Sequence, residues 1–104
     1  MTQWIRNTTR ERIYQRDGHR CVWCEDSIYE VPSIELTLDH VTPQVLGGGN
    51  EPRNLVTACR SCNCSRQALP VNQFAQVLAD RGKDPKQVAR RVRNAQRRKL
   101  PRSK

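Results

Sequence analysis

Two pairs of cysteines constrain the fold of this 104-residue sequence more than any other feature. Each pair has two residues between its members, and 34 residues separate the first pair from the second. Four thiolates in two such pairs are a common ligand set for a tetrahedral structural zinc site. The spacer is longer than the roughly 15–20 residues of a zinc ribbon, which predicts folded structure between the pairs. The predicted ligands are Cys21, Cys24, Cys59 and Cys62.

One zinc ion suits the size and the redox setting of the chain better than disulfides do. A domain of this length buries little surface and often depends on a metal or a disulfide for stability. No N-terminal apolar run suggests a signal peptide or a membrane span, so we expect a cytoplasmic protein with reduced thiols. Five cysteines are also an odd number for a disulfide framework. The alternative is a set of buried or reactive cysteines without metal.

Cys64 and His19 lie close to the two cysteine pairs but are not among the predicted ligands. Cys64 follows the second pair directly, and we expect it to be a small apolar residue on the inner face of a helix. His19 precedes the first pair, and we expect an exposed turn residue there, although a histidine is also able to replace a cysteine as zinc ligand.

Short elements of both kinds are predicted around and between the cysteines, which indicates an α+β fold. Residues 8–17 are predicted to be a helix, in which Thr8 and Glu11 have capping-box spacing. Residues 35–40 and 54–58 are predicted to be strands, because their apolar residues form short runs. The glycine-rich residues 43–50 between them are expected to be an exposed loop.

Three further helices are predicted after the second cysteine pair. Residues 63–69 are expected to form the first, which ends before Pro70. The second carries Phe74 on its apolar face and ends at Gly82. Asp84 is expected to cap the last helix, which has a narrow apolar stripe formed by Val88, Val92 and Ala95.

The positive charge of the chain is concentrated at its C-terminal end. Residues 81–104 hold eleven Lys or Arg and one acid, whereas residues 1–80 hold eight Arg and nine acids. A nearly neutral body with a strongly basic arm indicates a polyanionic partner, most often nucleic acid. The alternative is a solubilising tail. We therefore divide the chain into a zinc-stabilised domain over residues 1–80 and a basic helical arm over residues 81–104.

Four polar residues between and after the cysteine pairs have side chains that suit phosphodiester hydrolysis: Asp39, His40, Asn54 and Asn63. With their neighbours they resemble the HNH nuclease family, which has the ββα-metal fold. The resemblance covers about residues 10–70. The matching motifs are Leu38-Asp39-His40-Val41-x-Pro43, Gly47-Gly48-x-Asn50, Asn54-Leu55 and Cys59-x2-Cys62-Asn63.

The resemblance implies a small ββα-metal nuclease core with flanking helices, and a role for each of the four polar residues. His40 would be the general base, and Asn54 would shape the loop between the strands and orient His40. Asp39 and Asn63 would bind one catalytic ion, and their oxygen atoms suit Mg²⁺ or Mn²⁺. Adjacent strand residues point to opposite faces, so Asp39 and His40 need a strand that twists or ends there to serve one site.

The sequence departs from the family pattern at its last position. Many members have histidine where this chain has Asn63, so it resembles an HNN-type variant with an amide oxygen as ligand. A basic residue usually follows soon after in the family, and Arg66 is expected to supply it and to contact a phosphate. Further contacts to nucleic acid are expected from Arg90, Arg91, Arg93, Arg97, Arg98 and Lys99.

These features predict a metal-dependent DNA endonuclease. The alternative is a non-catalytic, zinc-dependent module that binds nucleic acid, which would not need Asp39, His40 and Asn63 together. In its small size and single domain, the chain resembles the HNH nucleases that phages encode, sometimes next to the gene for the DNA-packaging terminase. We expect a monomer with weak sequence preference, because arginine–phosphate contacts do not read bases. The product is a nick or a double-strand break, and a monomer with one site would nick DNA.

Overall fold

The computed structural model describes residues 5–102. Residues 1–4 of the predicted domain and residues 103–104 of the predicted arm lie outside the described residues. The helices are α1 (Asn7–Arg16), α2 (Arg60–Arg66), α3 (Val71–Ala79) and α4 (Pro85–Arg97), and the strands are β1 (Leu36–His40) and β2 (Leu55–Cys59). Two 3₁₀ turns, Gln44–Leu46 and Pro52–Asn54, interrupt the loop between the strands.

The two strands form an antiparallel hairpin with helices on both faces. Leu36 pairs with Cys59 at one end, and His40 pairs with Leu55 at the other. Leu38 and Leu55 pack with Ile13 of α1 on one face. Side chains alternate along a strand, so the next residues of β2 face the opposite side and join the core formed by the cysteine pairs, α3 and α4. The predicted α+β fold with a ββα core and flanking helices is confirmed.

A buried ion pair joins α1 to β2. Arg16 Nε lies 2.8 Å from Asp17 Oδ1, and both side chains are 1% exposed. Asp17 Oδ2 accepts a hydrogen bond from the Thr57 backbone N–H, and Arg16 donates to the Leu55 carbonyl. Each charge is thus paired and hydrogen-bonded, as burial of a charge requires.

The capping box predicted for the first helix is wrong. α1 begins one residue earlier, at Asn7, and its cap residue Arg6 makes no side-chain hydrogen bond to the helix. Thr8 therefore lies inside the first turn, where its hydroxyl is not at the cap position. The end of the helix is as predicted, because Gly18 follows it with a φ of 71° that suits glycine.

The helix after the second cysteine pair begins three residues earlier than predicted. Cys59 is its N-cap, and the Cys59 sulfur accepts a hydrogen bond of 3.4 Å from the Cys62 backbone N–H. The helix ends at Arg66, not at residue 69. The buried residues of this helix are Cys62 and Arg66, whereas Cys64 is exposed, so its predicted place on the inner face is wrong.

The last helix belongs to the same core as the rest of the described chain. Asp84 Oδ1 caps α4 by accepting from the Lys86 N–H, as predicted. Val88, Val92 and Ala95 are fully buried against the core that holds the cysteine pairs. Residues 85–97 therefore do not project as a separate arm, although Arg90, Arg93 and Arg97 are exposed. Within residues 5–102, no helix is long and apolar enough to cross a membrane.

Candidate active site

The four paired cysteines meet in one cluster, as predicted. Their sulfur atoms all lie within 4.8 Å of one another, and three of the four residues are buried. A Zn–S distance of about 2.3 Å places neighbouring sulfurs of a tetrahedral site about 3.8 Å apart. The Cys24 and Cys59 sulfurs are 3.9 Å apart. The cluster therefore has the ligands and the dimensions of a closed, structural zinc site.

Hydrogen bonds among the thiols prepare the cluster for a cation. Hydrogen bonding with Cys21 lowers the pKa of the Cys24 thiol to about 2 and that of the Cys59 thiol to about 6. The same bonds raise the pKa of Cys21, first through Cys24. Some sulfurs thus favour the thiolate form at neutral pH, and the thiolate is the form that binds a metal.

His40 ends β1, and its imidazole is held by the loop between the strands. Its Nε2 lies 2.7 Å from the amide oxygen of Asn50. An amide oxygen only accepts hydrogen bonds, so Nε2 carries the proton and Nδ1 is the nitrogen that can accept one. Asn50 thereby fixes both the orientation and the tautomer of His40, which is the geometry that a general base requires.

Asn54 holds the same loop from the other side. Its Oδ1 accepts from the Thr42 N–H at 2.8 Å, and its Nδ2 donates to the carbonyls of Thr42 and Gly49 at 3.1 and 2.8 Å. Asn54 is buried, so these bonds are shielded from water. The side chain closes the loop that begins after His40 and contains Asn50.

The close return of the loop requires glycine at position 48. A Cβ atom there would lie 1.7 Å from the Thr42 carbonyl oxygen and 2.9 Å from Asn54 Nδ2. Both contacts are far below the separation of non-bonded atoms, so any side chain at Gly48 would push the loop away from Asn54. Gly48 thus determines whether Asn50 reaches His40.

Asp39 faces the opposite side of the hairpin from His40. Its Oδ1 lies 2.7 Å from Arg66 Nη1, and its Oδ2 accepts a hydrogen bond of 2.8 Å from the indole N–H of Trp23. The residue is only 3% exposed. Burial raises the pKa of Asp39, and the charge of Arg66 and the Trp23 hydrogen bond partly offset that effect. The strand does not twist enough to bring the side chains of Asp39 and His40 to the same partners.

Arg66 is buried in the protein and does not reach the surface as expected. Its side chain is 0% exposed, and its guanidinium lies 5.1 Å from the centre of the Trp23 ring. It donates to the carbonyls of His40 and Leu69 in addition to the Asp39 carboxylate. The expectation that Arg66 contacts a phosphate does not hold for this arrangement, in which the side chain joins the end of α2 to the end of β1.

The carboxylate expected to bind a catalytic ion is already engaged within the protein. Asn63 is half-buried, and its amide nitrogen donates to Thr37 Oγ1 at 2.9 Å and to the Leu38 carbonyl at 3.1 Å. Both oxygens of Asp39 are already occupied, one of them by a cation. A divalent ion would lie beside the Arg66 guanidinium, where like charges repel. In this arrangement Asp39 does not fit as a ligand of Mg²⁺ or Mn²⁺.

An arginine-rich cleft of about 500 Å³ opens beside the loop that holds His40. Thr42 and Glu51 line it from the loop, and the buried Asn54 forms part of its wall. α4 forms the other side, where the Gln96 amide donates to the Arg53 carbonyl at 2.9 Å. The basic side chains in the cleft are those of Arg53, Arg93 and Arg97.

The other basic residues expected to contact nucleic acid have different environments. Arg90 is exposed and lines a groove between α3 and α4. Arg98 and Lys99 are exposed beyond the end of α4. Arg91, in contrast, donates to the carbonyls of Val22 and Trp23 at 3.0 and 2.9 Å. Arg91 therefore joins α4 to the first cysteine pair by hydrogen bonds. Its position in a run of arginines gives no indication of this role.

Three contributors to the site were missed by the sequence reasoning. Asn50 belongs to the motif Gly47-Gly48-x-Asn50, but the sequence gives no sign that it holds His40. Trp23 lies inside the first cysteine pair, and a buried indole N–H needs an acceptor, which was the available signal for its bond to Asp39. Arg53 carried no sequence signal, because its place in the cleft depends on the packing of α4.

An antiparallel hairpin with a held histidine at the end of its first strand, followed by a helix, defines a ββα-type nuclease core. A family model described as HNH endonuclease matches residues 21–75, which is just over half of the chain. The chain therefore belongs to the HNH endonuclease family. Neither the curated proteins nor the solved structures include a significant match to this sequence.

Proposed function

We propose that this protein is a DNA endonuclease that hydrolyses phosphodiester bonds with His40 as general base. The observation that carries the proposal is the hydrogen bond from His40 Nε2 to Asn50, next to a cleft lined by arginines. A histidine in a fixed tautomer can accept a proton, and the arginines of the cleft beside the same loop can bind a phosphate. Membership of the HNH endonuclease family supports the same reaction class.

The chemistry proposed for the described residues is proton transfer beside an anchored phosphate. His40 Nδ1 accepts the proton of the attacking water, while Asn50 keeps the other ring nitrogen protonated. Arg53, Arg93 and Arg97 offer charge-assisted hydrogen bonds to phosphate oxygens. Asn54 acts as a positioning residue, because it holds the loop and touches no reacting group.

Members of the HNH family use divalent metals, and we propose that cleavage by this chain also requires one. Mg²⁺ and Mn²⁺ remain the sequence-based candidates. Asp39 is paired with Arg66 and offers no free carboxylate to such an ion. Cleavage measured with Mg²⁺, with Mn²⁺ and without an added divalent ion tests the requirement, and equal cleavage in all three conditions would contradict it.

Supercoiled plasmid distinguishes the nuclease from the alternative, a zinc-dependent module that only binds nucleic acid. Wild-type protein should convert the plasmid to relaxed circles, and His40→Ala should lower the rate by about 10²–10⁴-fold. The matched control is His19→Ala, because His19 is the other histidine and packs against Tyr29. It should cut within about threefold of wild type, as expected for a variant away from the reacting groups.

Two outcomes would contradict the proposal. If His40→Ala cuts as fast as wild type while zinc content and DNA binding are unchanged, His40 is not the base. If the zinc-loaded wild type binds DNA and cuts none with any divalent ion, the binding-module alternative replaces the nuclease.

The biological setting is proposed from the family resemblance alone. We propose a cytoplasmic monomer that nicks DNA, is encoded by a phage and works beside the packaging terminase. Relaxed but not linear plasmid as first product tests nicking, and size-exclusion chromatography with light scattering tests the monomer. Co-purification with a terminase large subunit encoded next to its gene tests the partner, and its absence from such complexes would contradict that link.

A further inference from the structure

Four cations lie on one flank of α4 at regular spacing. Lys86, Arg90, Arg93 and Arg97 are separated by four, three and four residues. Residues at such intervals lie above one another on the same side of a helix. At 1.5 Å per residue, the row extends about 16 Å along the helix axis. We call these four residues the basic row of α4.

The basic row lines two clefts that meet at Arg93. One cleft of about 380 Å³ lies between α3 and α4 and contains Lys86, Arg90 and Arg93. The other is the cleft of about 500 Å³ beside the His40 loop, and it contains Arg93 and Arg97. Arg93 lines both clefts, so they adjoin each other along α4, and we call the two clefts together the groove.

The arginines of this groove differ from three other arginines of the protein in their hydrogen bonding. Arg16, Arg66 and Arg91 are committed to ion pairs and to backbone carbonyls inside the protein. Within residues 5–102, the side chains of Arg93 and Arg97 make no recorded hydrogen bond or ion pair with the protein. The groove thus carries positive charge that the fold itself does not use.

The walls of the groove favour a sugar–phosphate backbone over an apolar partner. Amide side chains accompany the cations along it, and these donate to phosphate and sugar oxygens. They are Asn72, Gln76 and Gln96. The row is about 16 Å long, which is enough for contacts with several successive phosphates of one strand.

We propose that this groove binds the backbone of one DNA strand and leads it to His40. The inference rests on the proposed nuclease function and adds the DNA-binding surface. The match to the family ends at residue 75, so α4 and its basic row lie outside the region that defines the family. Only part of the basic segment then contacts DNA: the groove residues bind, while Arg98 and Arg102 line other clefts and contribute little.

Paired substitutions in full-length protein test the inference. Arg93→Gln with Arg97→Gln removes two charges from the groove, and Arg98→Gln with Arg102→Gln removes two exposed charges elsewhere. Both pairs are made in the His40→Ala background, so that binding is measured without cleavage. Glutamine resembles arginine in helix propensity, which keeps α4 intact. Removal of the whole helix is unsuitable, because α4 belongs to the core.

The probe is a fluorescein-labelled 30-base-pair DNA duplex, whose dissociation constant is measured between 50 and 200 mM KCl. Each lost phosphate contact should reduce the slope of log affinity against log salt by about 0.9. At 0.1 M salt that corresponds to about 8-fold per contact, or about 60-fold for the groove pair. The control pair should change affinity by less than about threefold, and Arg93→Lys with Arg97→Lys should retain most of it.

Three results would overturn the inference. Equal losses in the groove pair and the control pair would show that the basic segment acts as diffuse charge. Unchanged affinity in the groove pair, with wild-type zinc content and circular dichroism, would exclude the groove. Tighter, groove-dependent binding of an RNA duplex would assign the surface to RNA. Cleavage by the His40→Ala protein would instead contradict the proposed function. The dissociation constants of the groove pair and the control pair could still be compared.

Discussion

Replacing Arg66 with methionine should remove much of the stability of the domain. Arg66 Nη1 lies 2.7 Å from Asp39 Oδ1, and the two side chains are 0% and 4% exposed. Loss of one partner from a buried ion pair costs about 3–5 kcal/mol, because the remaining charge has no compensation. The carbonyls of His40 and Leu69 would also lose a donor. Against a typical unfolding free energy of about 5–15 kcal/mol, the change is large.

A double-mutant cycle separates the ion pair from the packing. Urea unfolding of the zinc-saturated protein, followed by circular dichroism, gives the unfolding free energy of each variant. The cost of Arg66→Met should fall by at least about 1 kcal/mol when Asp39 is already asparagine, because a neutral amide leaves no buried charge. An equal cost in both backgrounds, or a cost below about 1 kcal/mol for Arg66→Met alone, would refute the reasoning.

The same variant should respond to pH in a defined direction. Burial already raises the pKa of Asp39, and loss of the Arg66 charge removes one of the effects that lower it. A carboxyl group whose pKa is raised on folding binds its proton more tightly in the folded state, so acid favours folding through this group. The stability difference between wild type and Arg66→Met should therefore shrink as the pH falls from 7 toward 5. A constant or growing difference would contradict the assignment to Asp39.

The remaining predictions concern the zinc centre, the loop and α4. Cys21→Ser should release the metal and unfold the domain, because metal binding supplies folding free energy; a folded, zinc-free variant in elemental analysis would contradict this. Gly48→Ala should cost about 1–3 kcal/mol in thermal unfolding, because the new Cβ would overlap the Thr42 carbonyl, whereas Gly49→Ala meets only a flexible side chain and should cost less. Arg91→Gln should lower the unfolding free energy by about 1–3 kcal/mol and leave the affinity of the folded protein for DNA nearly unchanged; the reverse pattern would disprove its structural role.

Local patterns in the sequence predicted much of the fold. Each cysteine pair is a short-range signal in the sequence. Only the meeting of the two pairs at one site depends on the tertiary structure. Asp84 and Pro85 mark the start of α4 through the chemistry of a helix N-terminus. The hairpin was predicted within one residue at each end, because its short apolar runs leave few alternatives.

Partners distant in sequence could not be predicted in the same way. Asp39 and Arg66 are 27 residues apart, and nothing in either segment indicates that they form an ion pair. The start of α2 at Arg60 was missed because the fold uses Cys59 as the cap, which a list of preferred cap residues does not contain. The roles of Arg91 and Arg93 differ although they are two residues apart, since only one of them faces the first cysteine pair.

The cysteine pairs also determine where the chain tolerates insertions. A metal ion held by the four cysteines would close a segment that includes both strands and the whole loop between them. The entropy of closing a loop grows only as the logarithm of its length, so doubling the enclosed segment costs about 0.6 kcal/mol. Extra residues should therefore be accepted in the exposed stretch near Pro32. They should be rejected between Thr42 and Gly49, which Asn54 joins by hydrogen bonds. Variation in length among natural relatives is expected to concentrate in the first stretch.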